Sequence, residues 1–266
     1  MTVSASCCST VTDAVVGCWW GVRRYVEGIK EELTAPTEWV HSLTDQKVYL
    51  IPNGTIEGSS LNESSTIVVA QLERIIAVVG TQEQPVRGVT VSGFKLRHSA
   101  SHYTGPYPTC GGGDFCAART GAVFVSGAEN VTLNDLDLDH PGGNGIALID
   151  YNRDITVSGC SLRHVAEVAF VVQGVTDGID ATGGKYPIGT RITRNFVYEV
   201  ATKMRGGSFF FQSMSAQTEL DHNVALNGPR AGVNFKCVPL CLRLCRVTLS
   251  LTFSFCFSVC RSLSCP

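Results

Sequence analysis

Five segments of this chain repeat one another in a shared register: RGVTVSGFKLRH (87–98), ENVTLNDLDLDH (129–140), RDITVSGCSLRH (153–164), GTRITRNFVYEV (189–200) and QTELDHNVALN (217–227). With Val91, Leu133, Val157, Ile192 and Leu220 as anchors, Phe94, Leu136, Cys160, Asn195 and Asn223 follow three residues on. Leu96, Leu138, Leu162, Val197 and Ala225 follow five residues on. The anchors lie 24 to 42 residues apart, so the shortest turn is 24 residues and the others carry insertions. A unit this small cannot bury its apolar face alone and must stack on its neighbours into one continuous core.

Within each repeat the apolar period is mostly two, β-branched residues are frequent, and Gly or Asn stands at the ends, which is strand chemistry. A second apolar run follows each first one: GAVFVSG (121–127), NGIALID (144–150), VAFVVQG (168–174), GSFFFQSM (207–214) and AGVNF (231–235). Each coil therefore holds at least two short strands. Small turns, apolar interiors and coils of about two dozen residues predict an all-β parallel β-helix, a single-stranded solenoid whose successive strands lie about 4.8 Å apart.

The expected organisation is an irregular segment over 1–36, a small N-terminal β cap over 37–60, the β-helix over 61–235 and a Cys/Ser/Phe-rich tail over 236–266 outside the fold. The 266 residues, 44% hydrophobic with 27 glycines, suffice for one elongated core with many tight turns. A net charge of −2, with basic residues scattered and no phosphate loop, argues against a nucleic-acid partner. The first twenty residues lack a charged start and an unbroken apolar run, so they read neither as a secretory signal nor as a membrane span.

Cys160 stands at an inward position and is expected to pack as a small apolar residue. Cys110 and Cys116 flank GGGDF, where a disulfide closing a short loop fits an oxidising compartment. Asn53, Asn62 and Asn130 begin Asn-x-Ser/Thr sequons. An extracellular or secretory-pathway location is expected on these grounds. From Val247 to Cys260 the tail alternates apolar residues with Ser, Thr or Cys. A membrane anchor, a capping strand and translated non-coding sequence compete as its reading, and its Ser, Leu, Phe and Pro content favours the last.

Residues 99–120 and 175–189 interrupt the coils on either side of one strand column. Loops so placed would wall one sheet face, and an elongated walled groove suits a polymer chain better than a small metabolite. Ser126, Asp150, Gln173 and Gln212 are read as a polar column lining that face, where amides and a carboxylate can bind sugar hydroxyls. Seven residues after each anchor stand His98, His140, His164, Glu199 and Asn227. This column reads as a hydrogen-bonded ladder at a turn, because no Cys or carboxylate in it completes a coordination set, so no metal or cofactor is expected. Glycoside hydrolysis needs two carboxyl groups across the scissile bond, for which Asp177, Asp180 and Asp150 are the candidates. A β-elimination lyase would instead use a basic residue, for which Lys185, Arg191 and Arg230 are the nearest. Both chemistries stay open at this level.

The stretches QLERIIAVVGTQEQPVRGVTVSGFKLRHS, GGGDFCAARTGAVFVSGAENVTL, GGNGIALIDYNRDITVSGCSLRHV, VTDGIDATGGKYP, GSFFFQSMSAQT and NGPRAGVNF resemble the right-handed parallel β-helix proteins of the pectate-lyase-like superfamily. More narrowly they resemble its glycoside hydrolase branch, which includes fucosidase- and xylanase-type enzymes. The resemblance covers roughly residues 37–235, including the β piece around TEWVHSLTDQKVYLIPNG. It implies a right-handed fold and a polysaccharide or oligosaccharide substrate, handled by a monomer. It makes Asp180 the first catalytic candidate, with Asp177 and Asp150 beside it. Gln173, Gln212, Arg230, Asn234 and His164 are the expected substrate-binding residues. In the family pattern further coils follow where this chain turns into its tail at Lys236, so a C-terminal truncation that removes a second carboxylate is expected.

Overall fold

The computed structural model describes residues 2–3, 26–42, 44–52, 67–102, 117–177, 180–236 and 258–259. Chain contacts divide it into two units, Met1–Val69 and Ala70–Pro266. In the first, Trp39–Ser42 and Lys47–Leu50 form an antiparallel hairpin over the segment expected to be a small β piece. Its entry is fixed by Glu38, whose carboxylate accepts the backbone N–H groups of Thr34 and Ala35 at 2.8 Å each. The expected irregular segment contains a two-residue antiparallel pairing of Thr2–Val3 with Val26–Glu27.

The second unit is a stack of parallel sheets of the β-helix kind. Successive coils contribute strands to the same columns in the same order, except that the last described coil adds only an isolated bridge, Ala216 with Ile188, to the shortest column. The anchors pair directly, Val91 with Leu133, Leu133 with Val157, Val157 with Ile192 and Ile192 with Leu220. The positions five residues on form a second parallel sheet, from Leu96 through Leu138, Leu162 and Val197 to Ala225. The longer strands, Ile76–Val79, Val123–Ser126, Ile146–Ile149, Phe170–Gln173, Phe210–Ser213 and Val233–Lys236, form a third. Ser258–Val259 from the tail pairs with Asn234 and Phe235 at the edge of this sheet; the rest of the tail lies outside the described residues. A fourth column of two-residue strands includes Ala128–Glu129 and Asn152–Arg153.

Sharp corners between these sheets explain the polar residues that punctuate the repeats. Positions two and seven residues after each anchor, and three before it, all have positive φ. Only glycine adopts that conformation freely, and Asn, Asp and His are the side chains next most often found there. The corner seven residues on is His98, His140, His164, Glu199 and Asn227, with φ between 52° and 57°. Its histidines are thus turn residues first, as the ladder reading expected.

Inside the stack one continuous cluster joins Leu133, Leu138, Ile146, Leu148, Leu162, Phe170, Val172 and Phe210. Cys160 belongs to it, and burial pushes its thiol up to about 11. The column three residues after the anchors departs from expectation at both ends. Phe94 is 54% exposed, at the corner between Thr90–Ser92 and Lys95–Arg97, each the edge strand of its sheet among the described residues. Asn195 and Asn223 are buried where apolar residues stand in the earlier coils. Their amides take over the pairing of the backbone: Asn195 Nδ2 donates to the Val157 carbonyl at 3.1 Å, and Asn195 Oδ1 accepts the Cys160 N–H at 2.9 Å.

Candidate functional site

The sheet of long strands was expected to offer a polar face between two loops. Its outward row instead runs Phe124, Ala147, Val171 and Phe211, a second apolar cluster closed over by Ala117 and Val168. The Arg74 guanidinium lies 3.7 Å from the centre of the Phe124 ring. Apart from the buried Asn234, the polar groups of this row lie at the C-terminal ends of these strands.

The expected polar column is not a single row. Ile149, Gln173 and Ser213 align, with Asp150 one residue past the row. Gln212 aligns with Val172, a core residue, and is 1% exposed inside the stack. It cannot line an outer face as it stands. Asn234 does lie in the outward row, opposite Phe211, but is buried as well. Arg230 is half-buried in the turn before that strand. His164 belongs to the corner before the long strand, not to the one after it.

The arrangement that remains is built around Asp150. Its backbone turns with φ 58°, and its N–H donates to the Gln173 carbonyl at 2.9 Å. Its carboxylate is ion-paired with Arg119, which also donates to the Gly174 carbonyl at 3.1 Å. Arg119 thus ties the segment before one long strand to the ends of the next two. The Gln173 side-chain oxygen beside it is buried with no hydrogen-bond partner among the described residues.

The loop leaving Gly174 is closed at its neck by Val175 N–H on the Lys185 carbonyl at 2.8 Å. Arg153 braces its return, donating to the carbonyls of Tyr186 at 2.7 Å and Gly184 at 2.9 Å while stacking on Tyr151 at 4.1 Å. At the tip, Asp177 and Asp180 exchange backbone hydrogen bonds of 3.1 and 2.9 Å. Both side chains are exposed. The N–H and hydroxyl of Thr182 bond the Asp180 carboxylate and hold its pKa below the usual carboxylate value. Both bonds favour the ionised form of the Asp180 carboxylate.

The basic residues considered for elimination are dispersed. Arg191 lies in the anchor sheet, 3.4 Å from Glu219 and 3.6 Å from Asp221. Lys185 sits at the neck of the 175–186 loop. The Cys110–Cys116 pairing and the sequons at Asn53 and Asn62 fall outside the described residues; Asn130 is exposed with φ 53°.

Two residues were absent from the sequence reading. Arg119 was one basic residue within a long insertion, with no periodic relation to Asp150. Asp139 stands one residue before His140, outside the column of histidines. Its Oδ1 lies 2.8 Å from Nδ1 of both His140 and His164, so it is the carboxylate that column lacked.

An all-β stack of parallel sheets with loops at its strand ends is the class these features define. No family model and no curated protein matches the chain by sequence. Among solved structures, a glycoside hydrolase matches with a TM-score of 0.63 at 20% identity, over 77% of this chain. This chain spans 40% of that protein's length. At that identity the likeness concerns the fold.

Proposed function

We propose that this is a carbohydrate-active right-handed β-helix protein of the fucosidase- and xylanase-like glycoside hydrolase kind, acting on glycosidic bonds of a polysaccharide outside the cell. The observation that carries the reading is the Asp150–Arg119 pair at the strand ends, beside a braced loop that presents Asp177 and Asp180. The likeness in fold to a glycoside hydrolase supports it. In the reaction one carboxylate of this group acts as base or nucleophile, a second carboxyl gives its proton to the leaving glycosidic oxygen and water supplies the new hydroxyl, while Arg119 and Gln173 hold sugar hydroxyls. The lyase alternative loses Arg191, which is engaged with Glu219 and Asp221 in its own sheet away from the long strands, and keeps Lys185 at the neck of the loop.

A second reading is glycan binding without turnover, because hydrolysis also needs a carboxyl shielded from water so that it holds its proton, and Asp177 and Asp180 are both exposed. The test is a panel of neutral and acidic polysaccharides, with reducing ends measured after incubation with the full chain, Asp180→Asn and Asp150→Asn. Release of reducing ends, lost in either variant, supports hydrolysis. Binding without release in any sample assigns the second reading, and products carrying a new C=C absorbance assign elimination.

A further inference from the structure

Asp139, His140 and His164 converge at a corner on the far end of the long strands from Asp150. Nδ1 of His140 and Nδ1 of His164 each stand 2.8 Å from the same oxygen of Asp139, and one ligand atom from each residue lies within 4.8 Å of the others. Both histidines occupy the positive-φ corner, with φ 54° and 52°. The rings stack with centroids 4.3 Å apart and planes at 25°. The His164 ring also meets Tyr198 edge-on at 6.0 Å. The Asp139 side chain is only 13% exposed. Nothing about a corner with positive φ requires histidine in two successive coils, since Glu199 and Asn227 fill the same position later.

Two imidazole nitrogens and one carboxylate oxygen are the donor set of zinc and its transition-metal neighbours, whereas calcium and magnesium demand more oxygens. The two 2.8 Å contacts are His–carboxylate hydrogen bonds, which a bound ion would replace as the ligands spread to the about 3.3 Å separation of tetrahedral zinc ligands. Glu199 Oε2 lies 3.8 Å from the far nitrogen of His164, Nε2. At that separation it makes no hydrogen bond to the ring, and a shift of about 1 Å would bring it within reach of the N–H of a ligating imidazole. We propose that this corner binds a divalent transition-metal ion of the zinc class through His140 Nδ1, His164 Nδ1 and Asp139 Oδ1, stapling two consecutive coils. Arg97 donates to the other oxygen of Asp139 and competes with the ion for its charge.

The experiment is zinc titration of the full chain by calorimetry with thermal melts alongside, repeated with His140→Asn/His164→Asn and with Arg97→Gln. Asparagine already occupies this corner as Asn227, so the double variant keeps the turn. Cobalt absorption identifies the ligands, because thiolates give a charge-transfer band and imidazoles do not. Expected are one saturable site, a rise in Tm with zinc but not with magnesium, loss of both effects in the double variant, and binding at least about threefold tighter in Arg97→Gln. Zinc binding that survives in the double variant with a thiolate band belongs to the cysteines and overturns the proposal. So does the absence of saturable binding, or an equal response to magnesium.

Discussion

Asn223 Oδ1 accepts hydrogen bonds from both the backbone N–H and the side-chain amide of Asn195, each at 3.0 Å. The pair continues by way of Asn195 to the Cys160 N–H and the Val157 carbonyl, and by way of Asn223 Nδ2 to the Ile192 carbonyl at 2.8 Å. Three coils are thereby joined through a buried corner. Asn195→Leu restores the residue type of Leu136 in the same column but strips partners from two buried backbone groups. A buried group left without its hydrogen bond costs about 1–3 kcal/mol. Urea unfolding of Asn195→Leu is expected to show a loss of at least about 2 kcal/mol, with the m-value unchanged.

Cys160 neighbours that corner and carries a thiol raised to about 11 by burial. Only the thiolate alkylates at a useful rate. Iodoacetamide at mildly alkaline pH is expected to leave the Cys160 peptide unmodified in the folded protein and to label it fully in urea, as mass spectrometry of the digest would read. Labelling of the native protein at the rate seen in urea would contradict the buried packing.

The register of the coils was legible because each anchor is apolar, flanked by polar residues and followed by a turn residue, so a slip of one position would turn the core outward. The long strands gave no such guide. In GSFFFQSM three consecutive phenylalanines are all buried, Phe209 and Phe210 in one cluster and Phe211 in the other, so no alternation marks which neighbour faces in. Gln212 was therefore assigned to the wrong face and Asp150 to the wrong row. The apolar covering of the outer face depends on Ala117 and Val168, which approach it from loops far apart in sequence. Arg119 and Asp139 acquire their partners from other coils, and a period of variable length hides such pairs.

His102 is buried, and its Nε2 accepts the Asn144 N–H at 2.9 Å while standing 3.7 Å from Glu167. Gly143 leaves room for the ring, which a Cβ there would strike. Burial lowers its pKa from 6.5, against an opposing pull from Glu73. The folded state thus holds the proton less tightly than the unfolded chain. That stabilising contribution is complete above pH 6.5 and is lost as pH falls toward the folded value. Thermal melts are expected to show Tm falling from pH 7.5 to pH 5.5, with a smaller fall in His102→Gln. An equal fall in both proteins would remove His102 from the account.

Arg119 and Asp150 are both partly exposed, with 33% and 44% of their side-chain surface open. An ion pair so hydrated contributes less than about 1 kcal/mol to stability, because water and salt screen it. Arg119→Gln therefore leaves the fold almost unchanged in a urea titration. The proposed function assigns the same guanidinium to a sugar hydroxyl, where a charged donor contributes more than an amide. For a polysaccharide identified by the panel, the apparent affinity of Arg119→Gln is expected to fall at least about tenfold, or about 1.4 kcal/mol. Stability and affinity then separate: a variant that binds normally places the glycan elsewhere, and one that unfolds makes the pair a structural tie.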